Sequence, residues 1–183
     1  MYARCPANSH VVCFDEFGPM ELRPTAGVCW ARKGHTQRLR ATYSRKSGTE
    51  QFLAFYDVHD DVLTGTIHKR KTSKDLLQAW ERLRYCFPRN ERIYLIMDNL
   101  SSHWKDSLVH YARHNRITLV ATPTYSSWLN AIEAHFTPLK KFCITNSDDK
   151  NHLERRKRIY RYLNIRNKEA ASQSCPLNVF RKY

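Results

Sequence analysis

The chain has 183 residues, 42% of them apolar, which is enough to bury one hydrophobic core and excludes an intrinsically disordered chain. It carries 31 lysines and arginines against 17 acidic residues, and this net charge of +14 favours a polyanionic partner, nucleic acid first. The sequence contains no apolar run long enough to cross a membrane and no recognisable signal peptide, so we expect neither a membrane partner nor secretion.

The first half of the chain is rich in predicted strands. Short apolar or β-rich runs between turn residues predict four strands, at residues 10–14, 27–32, 51–57 and 62–67. The polar sequence His59-Asp60-Asp61 separates the last two, which predicts a β-hairpin. Asp15 follows the first strand directly, so we expect an acid at the C-terminal edge of that strand.

The second half alternates helices with strands. Ser73 is the predicted N-cap of a helix with apolar residues at three- and four-residue spacing, and Pro88 ends that helix. The remaining predicted elements are strands at 92–97 and 117–120 and helices at 104–114, 129–142 and 151–166. This order predicts an α/β fold in which helices flank a mixed sheet, within a single domain of residues 1–183.

Three acids occupy positions from which they could meet at one edge of the sheet. Asp15 and Asp98 each follow a buried strand, and Glu133 lies on the helix after the strand at 117–120. Clustered carboxylates repel one another unless a cation neutralises them, and oxygen ligands favour Mg²⁺ or Mn²⁺. Taken alone, an aspartate at a strand end is usually a turn former or helix cap, and a glutamate such as Glu133 is more often a surface or capping residue.

Two motifs surround the second and third acids. Residues 97–103 read Met-Asp-Asn-Leu-Ser-Ser-His, so Asn99 follows Asp98 and His103 comes after three further residues. Residues 123–133 read Pro-Thr-Tyr-Ser-Ser-Trp-Leu-Asn-Ala-Ile-Glu, with Leu139-Lys140 shortly afterwards and 34 residues between Asp98 and Glu133. Over residues 10–165 the chain resembles the catalytic domain of mariner-like transposases and their insertion-sequence relatives, which are DDE-type transposases.

That resemblance implies a ribonuclease-H-like fold and a metal-dependent endonuclease that performs strand transfer in cut-and-paste DNA transposition. The implied catalytic and metal-binding residues are Asp15, Asp98 and Glu133, with two Mg²⁺ or Mn²⁺ ions. Asn99, His103 and Asn130 are the implied supporting residues. Only 14 residues precede Asp15, so we expect the helix-turn-helix recognition domain of such relatives to be absent from this chain.

The expected partner is double-stranded DNA, both transposon ends and target, and the resemblance leaves a homodimer open. Candidate DNA-binding residues lie in two basic groups and around the third motif: Arg38, Arg40, Arg45, Lys46, Tyr125, Ser126, Lys140, Lys141, Arg155, Arg156 and Arg158. Charge runs of this kind are also common on plain solvated faces. We expect the protein in the bacterial cytoplasm and nucleoid, or in a eukaryotic nucleus.

Two other functions compete with an active transposase. A decayed remnant would bind DNA nonspecifically without cutting it, and another ribonuclease-H-like nuclease would cut RNA–DNA hybrids. The three acids favour retained chemistry, whereas the short front of the chain favours the remnant. The motif at residues 123–133 argues against the hybrid nuclease.

Overall fold

Five strands and four α-helices follow one another in the residues that the computed structural model describes, which are 1–28, 30–35, 38–41 and 47–169. In chain order they are β1 (Ser9–Glu21), β2 (Thr49–Asp57), β3 (Val62–His68), α1 (Ser73–Tyr85), β4 (Arg92–Met97), α2 (Asp106–His114), β5 (Ile117–Ala121), α3 (Glu133–Cys143) and α4 (His152–Glu169). None of the helices in these residues is both long and apolar enough to span a membrane.

The strands form one mixed sheet in the order β3-β2-β1-β4-β5. β1 lies at its centre, antiparallel to β2 on one side and parallel to β4 on the other. β3 continues the antiparallel half, and β5 continues the parallel half. The predicted hairpin of β2 and β3 and the predicted mixed sheet are therefore confirmed.

Alternating side chains of β1 divide the core into two layers. Val12 and Phe14 pack with α1 and α2 on one face of the sheet, around the fully buried Trp80. Val11 and Cys13 point to the opposite face, where α3 and α4 cover them. A strand buried on both faces reads as a continuous apolar run, which is why residues 10–14 show no polar alternation.

The N-cap of helix α1 lies one residue earlier than the sequence predicted. Thr72 is the N-cap, and Ser73 is the first helical residue. The side chains of Thr72 and Asp75 cap each other's backbone N–H groups in a capping box. Thr72 is the N-cap because Asp75, three residues later, completes the capping box. Ser73 has no acid at the corresponding position.

The predicted strand at 27–32 does not form among its described residues, and Cys29 lies outside them. Val28 and Trp30 are almost fully exposed, so the two large apolar side chains that suggested a strand stay outside the core. The neighbouring Thr25 makes a single β-bridge with Ser147, away from the five-stranded sheet. A short apolar run indicates a strand only where a second layer covers it.

Three predicted boundaries also move. β1 continues to Glu21 because its antiparallel pairing with β2 persists, so Asp15 lies inside a strand and not at its end. The helix predicted at 129–142 begins only at Glu133, after a 3₁₀ turn at Ser127–Leu129. The helix predicted at 104–114 begins at Asp106, also behind a 3₁₀ turn, at Ser101–Trp104.

Candidate active site

Asp15 and Asp98 lie at the same level of two neighbouring parallel strands. The last paired residues of β1 and β4 are Cys13 and Ile96, and each aspartate follows two residues later. Asp15 shares the face of β1 that holds Cys13 and that α3 and α4 cover, and Asp98 directly follows the end of β4. The register therefore brings both aspartates to the sheet edge beside α3, which begins with Glu133.

Several hydrogen bonds position the loop between β5 and α3, which leads to Glu133. The N–H of Thr122 donates to the carbonyl of Met97 (2.9 Å), and the side-chain amide of Asn99 donates to the carbonyl of Thr122 (2.8 Å). Farther along, the buried amide of Asn130 donates to the carbonyl of Phe14 (2.9 Å), next to Asp15. These bonds join the loop to β4 at one end and to β1 at the other.

The pKa of Asp15 responds to the acids around it. Burial is the main reason that the pKa of Asp15 rises from 3.8 to about 6. A 2.7 Å hydrogen bond from the Glu16 N–H to Oδ1 opposes this rise, whereas the charges of Asp98, Glu16 and Glu133 add to it. Asp15 therefore lies close enough to Asp98 and Glu133 to sense both carboxylates.

The donor chemistry of the three acids fits a hard divalent cation. Asp15, Asp98 and Glu133 offer only oxygen ligands, and a cation would remove the charge repulsion that adds to the effect of burial on the pKa of Asp15. In the structure, the carboxylate oxygens of these three acids do not all lie within 4.8 Å of one another. Within the described chain, the acidic group whose ligand atoms all lie within 4.8 Å of one another is a different one, formed by His10, Asp57 and Asp60.

His103 is buried between two carboxylates at the same edge. Its Nε2 lies 2.8 Å from Oε1 of Glu16, and its Nδ1 lies 2.8 Å from Oδ1 of Asp98. Burial alone would lower the pKa of His103, but Glu16 and Asp98 outweigh burial and raise it. The imidazole therefore favours its charged form, and it orients Asp98 from behind.

Glu16 is a site residue that the sequence analysis missed. Burial would raise its pKa, but the hydrogen bond and charge of His103 and the nearby Lys71 lower it overall. Glu16 follows Asp15 on β1 and so points to the opposite face of the sheet, where His103 packs on Phe14. An acid directly after Asp15 was visible in the sequence, but its pairing with a residue 87 positions away was not.

Most of the predicted DNA-binding residues of the third motif and α3 are on the surface. Tyr125 is 92% exposed and adopts a positive φ of 59°, while Ser126 is half-buried and donates its N–H to the carbonyl of Pro123. Lys140 and Lys141 are exposed on α3, and Lys140 lines an open groove of about 520 Å³ together with Glu16.

The basic run on α4 is only partly available to a ligand. Arg155 is fully buried, where its guanidinium binds Asp149 and the carbonyl of Glu21, so its predicted contact with DNA is wrong. Arg156 pairs with Glu50, and Arg158 pairs with Asp149 at 2.6 Å, although both keep part of their side chains exposed. The run therefore anchors α4 to the sheet as well as adding charge.

The first basic group is described only in part. Arg38 is exposed, and Arg40 is exposed but donates to both oxygens of Asp148 at 2.8 and 3.0 Å. Arg45 and Lys46 lie outside the described residues.

Structural comparison finds the same fold in DNA-recombining enzymes. The Mos1 mariner paired-end complex with Mg matches with a TM-score of 0.66 and 14% identity, covering 92% of this chain and 52% of that chain. The corresponding complex with Mn gives 0.65 and 13%, covering 86% and 49%. The intasome of simian T-cell lymphotropic virus, in complex with a PP2A regulatory subunit, gives 0.53 and 11%, covering 74% and 39%.

These similarities establish a ribonuclease-H-like fold of the type found in the Mos1 transposase. The chain spans about half the length of the Mos1 chains that it matches. No curated protein sequence matches it significantly. The model of the DDE superfamily endonuclease family, however, matches residues 10–154, a range that contains all three acids and most of the chain. This protein therefore belongs to the DDE superfamily of endonucleases.

Proposed function

We propose that this chain is the catalytic domain of a cut-and-paste DNA transposase, which cleaves phosphodiester bonds and transfers the DNA strand with Asp15, Asp98 and Glu133. The observation that carries the proposal is the common level of Asp15 on β1 and of Asp98 directly after β4, next to the start of α3. The family match and the Mos1 transposase fold support DNA as the substrate class.

Two Mg²⁺ or Mn²⁺ ions held by the three acids would activate the attacking water and stabilise the departing 3′ oxygen. Asp15 must be ionised to bind a cation, and its raised pKa means that it loses its proton just below neutral pH. His103 holds Asp98 through Nδ1 and is itself held by Glu16 through Nε2. The hydrogen bond from Asn130 to the carbonyl of Phe14 ties the loop before Glu133 to β1. This contact limits the positions that the Glu133 carboxylate can take.

Double-stranded DNA would approach across the basic surface next to these acids. Lys140 and Lys141 on α3 and the exposed Tyr125 are available for phosphate and sugar contacts. Such contacts carry no sequence information, so we propose that this chain binds duplexes with little sequence preference and with strong salt dependence. As a DNA enzyme it would act in the bacterial nucleoid or in a eukaryotic nucleus. We also propose that the chain forms a homodimer, and size-exclusion chromatography would test this oligomeric state.

A plasmid-nicking assay tests the chemistry. Wild-type protein is incubated with supercoiled plasmid in Mg²⁺, in Mn²⁺ or in chelator, and in parallel with an RNA–DNA hybrid. We expect metal-dependent nicking of the plasmid, little cleavage of the hybrid, and loss of nicking in Glu133→Gln. The matched control is Glu81→Gln, which changes an exposed glutamate on α1 in the same way. DNA binding without nicking in any metal would favour the inactive remnant.

A further inference from the structure

A second ligand cluster lies at the end of the sheet opposite the acids of the active site. His10 is the second residue of β1, Asp57 is the last residue of β2, and Asp60 lies in the turn that leads to β3. One ring nitrogen of His10 and one carboxylate oxygen from each aspartate all lie within 4.8 Å of one another. Two strands and the turn between β2 and β3 therefore place one nitrogen and two oxygen ligands close together.

Asp57 is the most unusual member of this cluster because half of its carboxylate is buried without a hydrogen bond. Oδ1 accepts the backbone N–H groups of His59 and Asp60 at 3.1 and 3.2 Å, which shapes the turn. Oδ2 is inaccessible to solvent, the side chain is only 7% exposed, and Oδ2 has no hydrogen-bond partner among the described residues. A buried carboxylate oxygen in this condition is costly unless a cation faces it.

The geometry of His10 is that of a metal ligand with its orienting partner. Nε2 lies 2.6 Å from Oε2 of Glu91, and the ring packs on Phe87, so the plane and position of the imidazole are fixed. Nδ1 then faces Oδ2 of Asp57 at 3.4 Å, which is long for a hydrogen bond. Two ligands bound at about 2.1 Å to one tetrahedral ion are themselves about 3.4 Å apart. A carboxylate on the far ring nitrogen is the usual support of a metal-bound histidine.

We propose that His10, Asp57 and Asp60 bind one first-row divalent transition-metal ion, with Zn²⁺ as the reference ion. One imidazole nitrogen and two carboxylate oxygens leave a fourth tetrahedral position for water. An imidazole ligand selects against Mg²⁺, which prefers oxygen ligands. This ion would join the start of β1 to the β2–β3 turn, so its role is to stabilise the sheet, separately from cleavage at the other end.

The test is a Zn²⁺ titration of the full chain without a histidine tag, in competition with a chromophoric chelator. To silence the active-site acids, the titration is run on the double variant Asp98→Asn/Glu133→Gln, which should retain one equivalent of tightly bound Zn²⁺. Adding His10→Asn or Asp57→Asn should weaken that binding by about 100-fold or more, and Glu91→Gln by about tenfold. A large excess of Mg²⁺ should not displace the Zn²⁺.

Two controls distinguish this site from other zinc ligands. His110 and His114 are exposed, one helical turn apart on α2, so His110→Asn/His114→Asn tests surface chelation and should leave binding unchanged. With Co²⁺ in place of Zn²⁺, the visible bands of a nitrogen–oxygen site should appear without a thiolate charge-transfer band.

If His10→Asn and Asp57→Asn fail to fold, Asp60→Asn replaces them, because asparagine preserves the turn while removing the charge. Retained affinity in the His10, Asp57 or Asp60 variants, loss of affinity in the α2 control, or a thiolate band would each overturn the proposal.

Discussion

The stretch over which β1 pairs with β4 has carboxylates near both of its ends, but their surroundings differ. At one end, burial and then the charges of Asp98, Glu16 and Glu133 raise the pKa of Asp15 to about 6. At the other end His10 lies between Asp57 and Glu91 within 3.4 Å of each, so an imidazole separates the carboxylates. This difference indicates which metal each cluster prefers. A cluster with only oxygen ligands favours a hard cation such as Mg²⁺, whereas a cluster that includes a histidine nitrogen favours a transition-metal ion.

The largest expected effect separates the two ends by catalysis. Asp98→Asn should reduce plasmid nicking on the order of a thousandfold, because a neutral amide no longer holds the cation that stabilises the transition state. Asp57→Asn, the same change at the opposite end, should leave the nicking rate within about threefold in samples shown to be folded by circular dichroism. Equal losses in the two variants would mean that the ends do not differ in function.

The next effect concerns His103 and His10, the two histidines that contact carboxylates at these ends. His103→Asn should weaken the apparent Mg²⁺ affinity in the nicking assay by about tenfold or more, because Asp98 loses the partner that orients it. His10→Asn should leave the same Mg²⁺ dependence unchanged. If His103→Asn lowers only the folded fraction, and its Mg²⁺ midpoint equals that of wild type, His103 has a purely structural role.

The basic surface should also be polarised between the ends. Lys140→Gln/Lys141→Gln should weaken duplex binding by about tenfold near 0.1 M salt and reduce the salt slope by about two. The matched control is Arg89→Gln/Arg113→Gln, which changes two exposed arginines, one in the loop after α1 and one on α2, and it should change neither quantity much. Fluorescence anisotropy at several salt concentrations measures both variants. Equal weakening by both pairs would indicate a diffuse charge effect with no preferred face.

A smaller effect follows from the pKa of Asp15. Since folding raises this pKa from 3.8 to about 6, the metal-free protein should become less stable as pH rises through that interval. Cation binding must displace the same proton, and the ionised fraction of Asp15 rises from about one quarter at pH 5.5 to nearly one at pH 7.5. Mg²⁺ affinity should therefore increase by about fourfold between these pH values in thermal-shift titrations, and a flat profile would show that Asp15 does not bind the ion.

The sequence predicted the parts of this fold that local patterns determine. The apolar runs before Asp15 and Asp98 are buried on both sheet faces, and such runs are visible without any tertiary information. The spacing of the second and third motifs also identified the family before the fold was known. What the sequence could not reveal is which segments pack into the core, and the exposed Val28 and Trp30 of the strand predicted at 27–32 are the clearest example.

The errors within the site have the same origin. The charge run on α4 predicted a DNA contact for Arg155, but one side of the helix is buried, and Asp149 neutralises the guanidinium there. Glu16 was missed because its role depends on His103, which the fold brings from far along the chain. The His10, Asp57 and Asp60 cluster was invisible for the same reason, since its members come from separate strands and a turn.

Anomalous diffraction from a crystal soaked in Mn²⁺ tests the central claim most directly. The claim is that Asp15, Asp98 and Glu133 converge on divalent cations at the sheet edge where β1 and β4 diverge. The account predicts an anomalous peak within about 2.5 Å of oxygens from Asp15 and Asp98, with the Glu133 carboxylate turned toward it. No peak at that edge, with Glu133 directed into solvent in a crystal whose His10 cluster does bind Mn²⁺, would contradict the account.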